Sequence, residues 1–357
     1  MTVMVTGFGH IGGYVVRDLL ASGQDVVVYG YFGGTGKDSG EDLPDLDYLD
    51  YLLGGDARDK VSVEIGDVSD LDTLTLMMER HDVTKVVHLA SLVSASSQAN
   101  PSLAVRVNVE GTANVFEAAS RLRLDKVVWA SSIEVFGARS VNAAGVITDD
   151  SPPDPPFIYG AGKVMCERIA LSYAEAKNID ITGLRLSRVY GFGEHVKFGR
   201  GGGSSWMASL LYDPAVGGGP SVVPFGARNM DFHYVEDVSN SFLKALDFRD
   251  GSGASYLTHG DSRPMREAFD FVRTLLPDAE MTLEMGDIVL PAGSSSSWSR
   301  KYDAGLAERK IGIANRFDME AGLYRTINDN RLHAGLPPLP KPAGVDTAIV
   351  DMLGVRS

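Results

Sequence analysis

Val3-Met4-Val5-Thr6-Gly7-Phe8-Gly9-His10-Ile11-Gly12 opens the chain and decides its fold. Val3 to Val5 reads as a buried strand, and three glycines follow in the spacing G-x-G-x-x-G. In that spacing Gly7 makes a tight turn and Gly9 lets backbone approach a pyrophosphate. Gly12 lets the next helix pack closely on the strand. A helix that starts on such a turn directs free N–H groups at an anion. The stretch predicts a strand, a dinucleotide-binding turn and a helix over Ile11 to Ala21, with a plain glycine turn as the alternative. Val3 to Val5 running straight into the turn also argues against a signal peptide.

Working outward, β-branched runs alternate with amphipathic segments. Strands are expected at Val26–Tyr29, Val61–Ile65, Val86–Leu89, Lys126–Ala130 and Ile181–Leu186. Helices are expected at Leu71–Arg80, Leu103–Leu122 and Tyr159–Lys177. This alternation predicts βαβ units, and near-continuous Val/Ile strands fit a parallel sheet covered on both faces. The expected class is α/β, a Rossmann-type doubly wound parallel sheet with a smaller C-terminal substrate-binding domain. Beyond Arg188 the pattern loosens, with Gly-rich stretches at Gly199–Ser205 and Gly217–Pro220 and loops at Ser294–Ser297 and Pro337–Pro342. Helices are expected there at Trp206–Tyr212, Asp237–Asp247, Arg263–Leu276 and Asp318–Arg331, and a strand at Ser255–His259. Residues 1–187 form the expected nucleotide domain, with 230–260 returning to it; 188–229 and 261–357 form the smaller region.

The 357 residues are 44% hydrophobic, enough for a large core, and no run of 18 apolar residues offers a membrane span. A formal net charge of −14 argues against nucleic acid or an anionic membrane as partner. The acidic stretch Asp38 to Asp59 reads as a solvated loop. The single Cys166 rules out an internal disulfide and fits a reducing cytoplasm. No metal site is expected.

Tyr159 and Lys163 stand four apart, so on a helix they share a face. A phenol ionises near ~10, and a neighbouring cation lowers that value toward a useful acid/base. The same spacing also fits an exposed Tyr–Lys pair. An acid at the end of the second strand would grip the cofactor ribose, but that strand ends Val28-Tyr29-Gly30-Tyr31, without carboxylate or Arg. The only nearby cation is Lys37, so NAD is expected and NADP is left open. Asp67, in Gly66-Asp67-Val68, either meets the adenine side or caps the following helix.

In their order these motifs resemble the extended short-chain dehydrogenase/reductase family, the NAD-dependent epimerase/dehydratase group, over most of residues 1–260. The resemblance is carried by the glycine turn, Gly66-Asp67-Val68, His88-Leu89-Ala90-Ser91, Val107 to Val115 around Asn108, and Ala130 to Gly137. It continues through Pro155 to Lys163, Arg185 to Gly191, and Asp231 to Asp237. It implies cofactor contacts at Gly7, Gly9, His10, Ile11, Gly12, Asp67, Val68, Leu89, Ala90, Ser91, Asn108, Tyr159 and Lys163. It implies a catalytic set of Ser132, Tyr159 and Lys163. Ser132 holds the substrate oxygen, Tyr159 moves its proton, and Lys163 lowers the Tyr pKa and binds ribose hydroxyls. A homodimer through Leu103–Leu122 and Tyr159–Lys177 is implied as well.

The chain also departs from the resemblance. Its glycine loop is one residue shorter, with His10 beside the phosphates. Ile133 replaces the acid that dehydrating relatives place before Glu134, which counts against a dehydratase. Arg188 stands where epimerases often have Asn, and Met230 where they often have Arg, with Arg228 two positions earlier. Lys197 and Arg200 are further cations in the same stretch. Substrate contacts are expected at Ser91, Ser132, Glu134, Arg188 and Arg228. The expected activity is NAD(P)-dependent interconversion of a secondary alcohol and ketone on a sugar-like small molecule. A nucleotide-sugar epimerase with tightly bound NAD is the alternative, ahead of a dehydratase or a non-catalytic cofactor sensor.

Overall fold

The computed structural model describes residues 1–31, 44–54, 59–194, 205–286 and 299–345. Lys37, Lys197, Arg200 and the Ser294–Ser297 loop lie outside them, as does most of Gly199–Ser205.

The strands in chain order begin with β1 (Thr2–Thr6), β2 (Asp25–Gly30), β3 (Val61–Ile65), β4 (Val83–His88) and β5 (Lys126–Ser132). Then come β6 (Val146–Ile147), β7 (Ile181–Leu186), β8 (Val189–Tyr190), β9 (Ser221–Val223) and β10 (Asn229–Tyr234). The last are β11 (Ser255–Thr258), β12 (Asp261–Pro264), β13 (Met281–Leu283) and β14 (Lys301–Tyr302). Seven of them form one parallel sheet in the order β11-β7-β5-β4-β1-β2-β3. The chain winds outward in both directions from β1, so the strand order reverses between β1 and β4. That reversal opens a crevice at the strands' C-terminal ends.

Alternate residues of each strand serve opposite faces, and both faces are buried. Val3, Val5, Val26, Val28 and Val87 pack on one side. Met4, Val27, Tyr29, Val86 and Trp129 pack on the other. The first cluster continues into Phe232, Val272, Leu323 and Ile327, so the C-terminal segments share the core of the sheet.

The helices flanking the first strands are α1 (His10–Ala21), α2 (Pro44–Leu53) and α3 (Leu71–Arg80). α2 corrects the expectation of a solvated loop through Asp38–Asp59. Its acids are real, but Tyr48 and Leu52 are buried in the core. Asp70 caps α3 by accepting the Thr73 N–H at 3.1 Å.

The expected continuous helix over Leu103–Leu122 is interrupted. After α4 (Ser94–Ala99), α5 (Pro101–Ala104) runs into a π-helical turn, Val105–Glu110, and then into α6 (Gly111–Leu122). Such a turn holds one residue more than an α-helical one and changes which side chains face inward. α7 (Ile158–Lys177) ends at Asn178, whose φ of 53° is the left-handed conformation that terminates helices.

The smaller sheets build the rest of the molecule. β8 runs parallel to β10, and β12 runs antiparallel to it. β9 pairs with β13, and β6 pairs with β14. Among the described residues no helix is long and apolar enough to cross a membrane.

Candidate active site

The glycine turn lies at the strand-order reversal. Gly7 has φ +79°, and a Cβ there would come within 2.2 Å of the Ala90 amide nitrogen. No other residue permits that approach, which presses the loop after β1 against the loop after β4. Gly12 is also crowded, with its Cβ position 3.0 Å from the Gly7 carbonyl oxygen and 3.7 Å from Leu89. Gly9 precedes α1, whose first turn carries no acidic residue and no side-chain cap. A helix start of this kind is a cradle for a phosphate. Ile11 is half-buried in α1. His10 is buried edge-on to Tyr14, with ring centroids 6.2 Å apart, so it is a packed residue at the start of α1.

Two strands away, Asp67 follows β3. Its Oδ1 accepts the Ser69 N–H at 2.8 Å, and its Oδ2 lies 3.4 Å from Arg106. The helix cap is Asp70, so Asp67 is not the cap that the alternative reading assigned it. Val68 is buried, and a Cβ on Gly111 of α6 would lie 2.6 Å from its side chain.

A chain of hydrogen bonds sets the loop after β4. His88 is buried between Thr6 (2.6 Å) and Thr112 (2.9 Å). Burial, and then the Lys163 charge, push its pKa down to about 3, so it stays neutral. Thr112 donates to the Asn108 carbonyl at 2.6 Å. The Asn108 side chain accepts the Leu92 N–H at 2.7 Å and donates to the Leu92 carbonyl at 2.9 Å. It also donates to Ser97. The Asn108 amide thereby holds the loop of Leu89, Ala90 and Ser91 from its Leu92 end. Those three are half-buried at the crevice.

Ser132 ends β5, and its Oγ accepts the Glu134 N–H at 3.1 Å. Tyr159, in the first turn of α7, lies close enough to Ser91 and Ser132 for both hydroxyls to favour its ionised form. Lys163 is buried one turn on and donates to the Ala130 carbonyl at 2.8 Å. Its ammonium lies 5.5 Å from the centroid of the Tyr159 ring. Ser91, Ser132, Tyr159 and Lys163 thus converge.

The electrostatics differ from the simple Tyr–Lys argument. Burial pushes the Tyr159 phenol up from its ordinary value, the Glu134 charge pushes it further, and the two serines pull it partly back. Lys163 is pushed down to about 8 by its own burial. Lys163 is not among the leading influences on the phenol, and its hydrogen bond goes to the Ala130 carbonyl.

Glu134 joins this cluster. Its Oε1 accepts from Ser94 at 2.6 Å, and burial raises its pKa. Its Oε2 has no partner among the described residues. Ile133, in the position of the missing acid, is buried with Val135, Phe136 and Tyr302.

Arg188 and Arg228 are held by their own neighbours. Arg188 donates to Glu194 at 2.9 Å and to the Val189 carbonyl at 2.6 Å, and lies 5.4 Å over the Trp206 ring. Arg228 is half-buried, with its carbonyl accepting the Met265 N–H. Met230 is fully buried.

Sequence reading missed Ser94 and the carboxylate behind the catalytic strand. Glu167 accepts from Ser131 at 2.7 Å and from Arg185 through both oxygens, at 2.8 and 2.9 Å. Only the i, i+4 spacing from Lys163 along α7 hinted at Glu167.

A doubly wound sheet with a glycine turn at its strand-order reversal defines a Rossmann-fold nucleotide-binding protein. The NAD dependent epimerase/dehydratase family model matches residues 3–257, and the chain belongs to that family. It is an NAD-dependent enzyme of the epimerase/dehydratase type. UDP-glucuronate 4-epimerase 4 of Arabidopsis thaliana is 26% identical over 346 residues, covering 92% of this chain and 74% of that protein. The structure resembles UDP-glucose 4-epimerase of Thermotoga maritima with UDP-glucose, with a TM-score of 0.76 and 21% identity over 93% of this chain and 99% of that one. It also resembles MoeE5 in complex with UDP-glucose and NAD, with a TM-score of 0.72 and 25% identity over 93% and 99%.

Proposed function

We propose that the protein interconverts a secondary alcohol and a ketone on a sugar-like molecule. The single observation that carries this is the gathering of Ser91, Ser132 and Lys163 around Tyr159 at the end of β5, with the Lys163 ammonium 5.5 Å from the Tyr159 ring centroid. Gly7, Gly9, Ile11 and Gly12 would hold the pyrophosphate of NAD, and Leu89, Ala90, Ser91, Tyr159 and Lys163 its nicotinamide side. When bound, NAD supplies the hydride acceptor and donor.

The chain's own groups manage the proton. Ser132 holds the substrate oxygen against Tyr159, and Tyr159 takes or returns the hydroxyl proton. Lys163, buried with its pKa reduced to about 8, meets ribose hydroxyls and retains the positive charge that offsets phenolate formation. Glu134, within electrostatic reach of Tyr159 and with a free oxygen, faces the same substrate as a second polar contact. Arg228 and Arg188 line the substrate side, Arg188 through its ion pair with Glu194.

The second reading is a nucleotide-sugar epimerase, which returns the hydride to the opposite face. Similarity to a 4-epimerase across 92% of this chain favours it. Purified protein given a panel of sugars, nucleotide sugars and ketones separates the two. Substrate-dependent absorbance change at 340 nm supports net oxidoreduction; retained NAD with an epimeric product by NMR supports epimerisation. Neither outcome in any pairing removes the proposal. A cytoplasmic homodimer through α6 and α7 belongs to the same reading. Light scattering that gives a monomer at micromolar concentration would refute the dimer.

A further inference from the structure

Tyr159, Lys163 and Glu167 follow one another along α7 at i, i+4 spacing, so the three share one face of the helix. That face meets the last three residues of β5. Lys163 donates to the Ala130 carbonyl at 2.8 Å, and Glu167 accepts the Ser131 hydroxyl at 2.7 Å. Ser132 lies beside Tyr159. Three successive turns of the helix are thus matched to three successive residues of the strand end.

Glu167 makes the firmest of these contacts. Ser131 of β5 and Arg185 of β7 are register partners, so their side chains leave the sheet on the same face. Glu167 takes both: its Oε1 accepts from Ser131 and from Arg185 Nε at 2.8 Å, and its Oε2 accepts from Arg185 Nη2 at 2.9 Å. Two parallel bonds to one guanidinium fix the orientation of the carboxylate as well as its place. Arg185 is held in turn, donating to the Asp149 carbonyl at 3.1 Å and lying 5.2 Å over the Phe136 ring. Both charged side chains are only 13% exposed, so water competes little for them. Helix and strand end cannot shift past one another without breaking this pair.

The same carboxylate bears on Lys163. Burial disfavours the Lys163 charge, while Cys166 and then Glu167 favour it. Burial pushes the Cys166 thiol up, so it is uncharged at neutral pH. The other groups around the ammonium are the Tyr159 phenol of α7, neutral His88 of β4 and the Trp129 ring of β5, 5.7 Å away. The Glu167 carboxylate is the anion among these neighbours.

We propose that Glu167 is a positioning residue for the reaction, acting on Ser132 through Ser131 and on Tyr159 through Lys163 and their shared helix face. Both of its oxygens are taken by protein groups, so it works through them and not on the substrate. The inference rests on the roles given to Ser132, Tyr159 and Lys163 in the proposed function.

Glu167→Gln keeps the side chain's length and removes its charge. NMR of the full chain with 13C-labelled lysine follows the Lys163 ammonium without any substrate, and Lys163→Arg assigns its signal. The ammonium should titrate at about 8 in the wild type and at least about half a unit lower in Glu167→Gln. On any substrate that the wild type turns over, kcat should fall at least about tenfold, with the KM for NAD within about twofold. A residue needed only for folding would move neither quantity in the folded variant. An unmoved Lys163 titration, or a kcat within about twofold of the wild type, overturns the proposal. Should Glu167→Gln fail to fold, Glu167→Gln with Arg185→Met removes the stranded guanidinium, and the same two readouts decide. A wild type inactive on every substrate removes the proposed function and this inference with it, an outcome seen before any variant is made.

Discussion

Two neighbouring strand ends use their polar groups in opposite ways. At the end of β5, Ser132 and Glu134 converge with Tyr159 and Ser91, and one Glu134 oxygen has no partner among the described residues. Just past the end of β7, Arg188 is committed to Glu194 and to the adjacent carbonyl, and Met230 nearby is buried. The first region leaves groups available for a reacting molecule; the second engages its arginine internally. The difference teaches that adjacent strand ends can either present polar groups or neutralise them, so the reaction type of a family does not by itself fix the substrate.

The largest test of this contrast is Tyr159→Phe. It should lower turnover about 10³-fold with the fold unchanged by circular dichroism. Near-normal turnover would mean that the converging groups are not the chemical centre.

Next comes pH. His88 titrates near 6.5 when unfolded and near 3 when folded, so below pH 6.5 the unfolded chain binds the extra proton. Stability is therefore lost as pH falls from 6.5 toward 3. From pH 6.5 to 5 the His88 share is about 2 kcal/mol. Urea unfolding of His88→Gln should show that much less loss over the interval. Equal slopes would show that the pin beneath the β4 loop is not a neutral imidazole.

Asn108→Ala leaves both polar groups of Leu92 without their partner. A loss of about 1.5 kcal/mol is expected, with a raised KM for NAD and a smaller change in kcat. An unchanged KM would detach this loop from the cofactor side.

The smallest effect belongs to the second region. A double-mutant cycle of Arg188→Ala and Glu194→Gln should give a coupling of about 1 kcal/mol in thermal unfolding. Substrate KM should move by less than about threefold. A tenfold rise would make Arg188 a direct substrate contact and erase the contrast.

The contrast also marks what sequence can convey. The extents of β3, α3 and β7 were legible to the residue, because Val/Ile runs and apolar spacing report burial directly. The convergence of Ser132, Tyr159 and Lys163 was legible from motif order. α2 was not, because the acids in its sequence mask the two buried positions, Tyr48 and Leu52. The direction of the Tyr159 shift was not either: spacing reveals Lys163, but burial and Glu134 act through tertiary packing. Glu194 as partner to Arg188, and Thr6 and Thr112 around His88, are likewise contacts made by the fold.

The π-helical turn at Val105–Glu110 makes chain length itself a functional variable. Each residue of a helix turns the chain by about 100°. Loss of one amino acid there would straighten the helix and swing α5 out of step with α6, whatever side chains remained. A missense change in this turn touches one contact, whereas an in-frame deletion of a single codon would displace the whole clamp on Leu92.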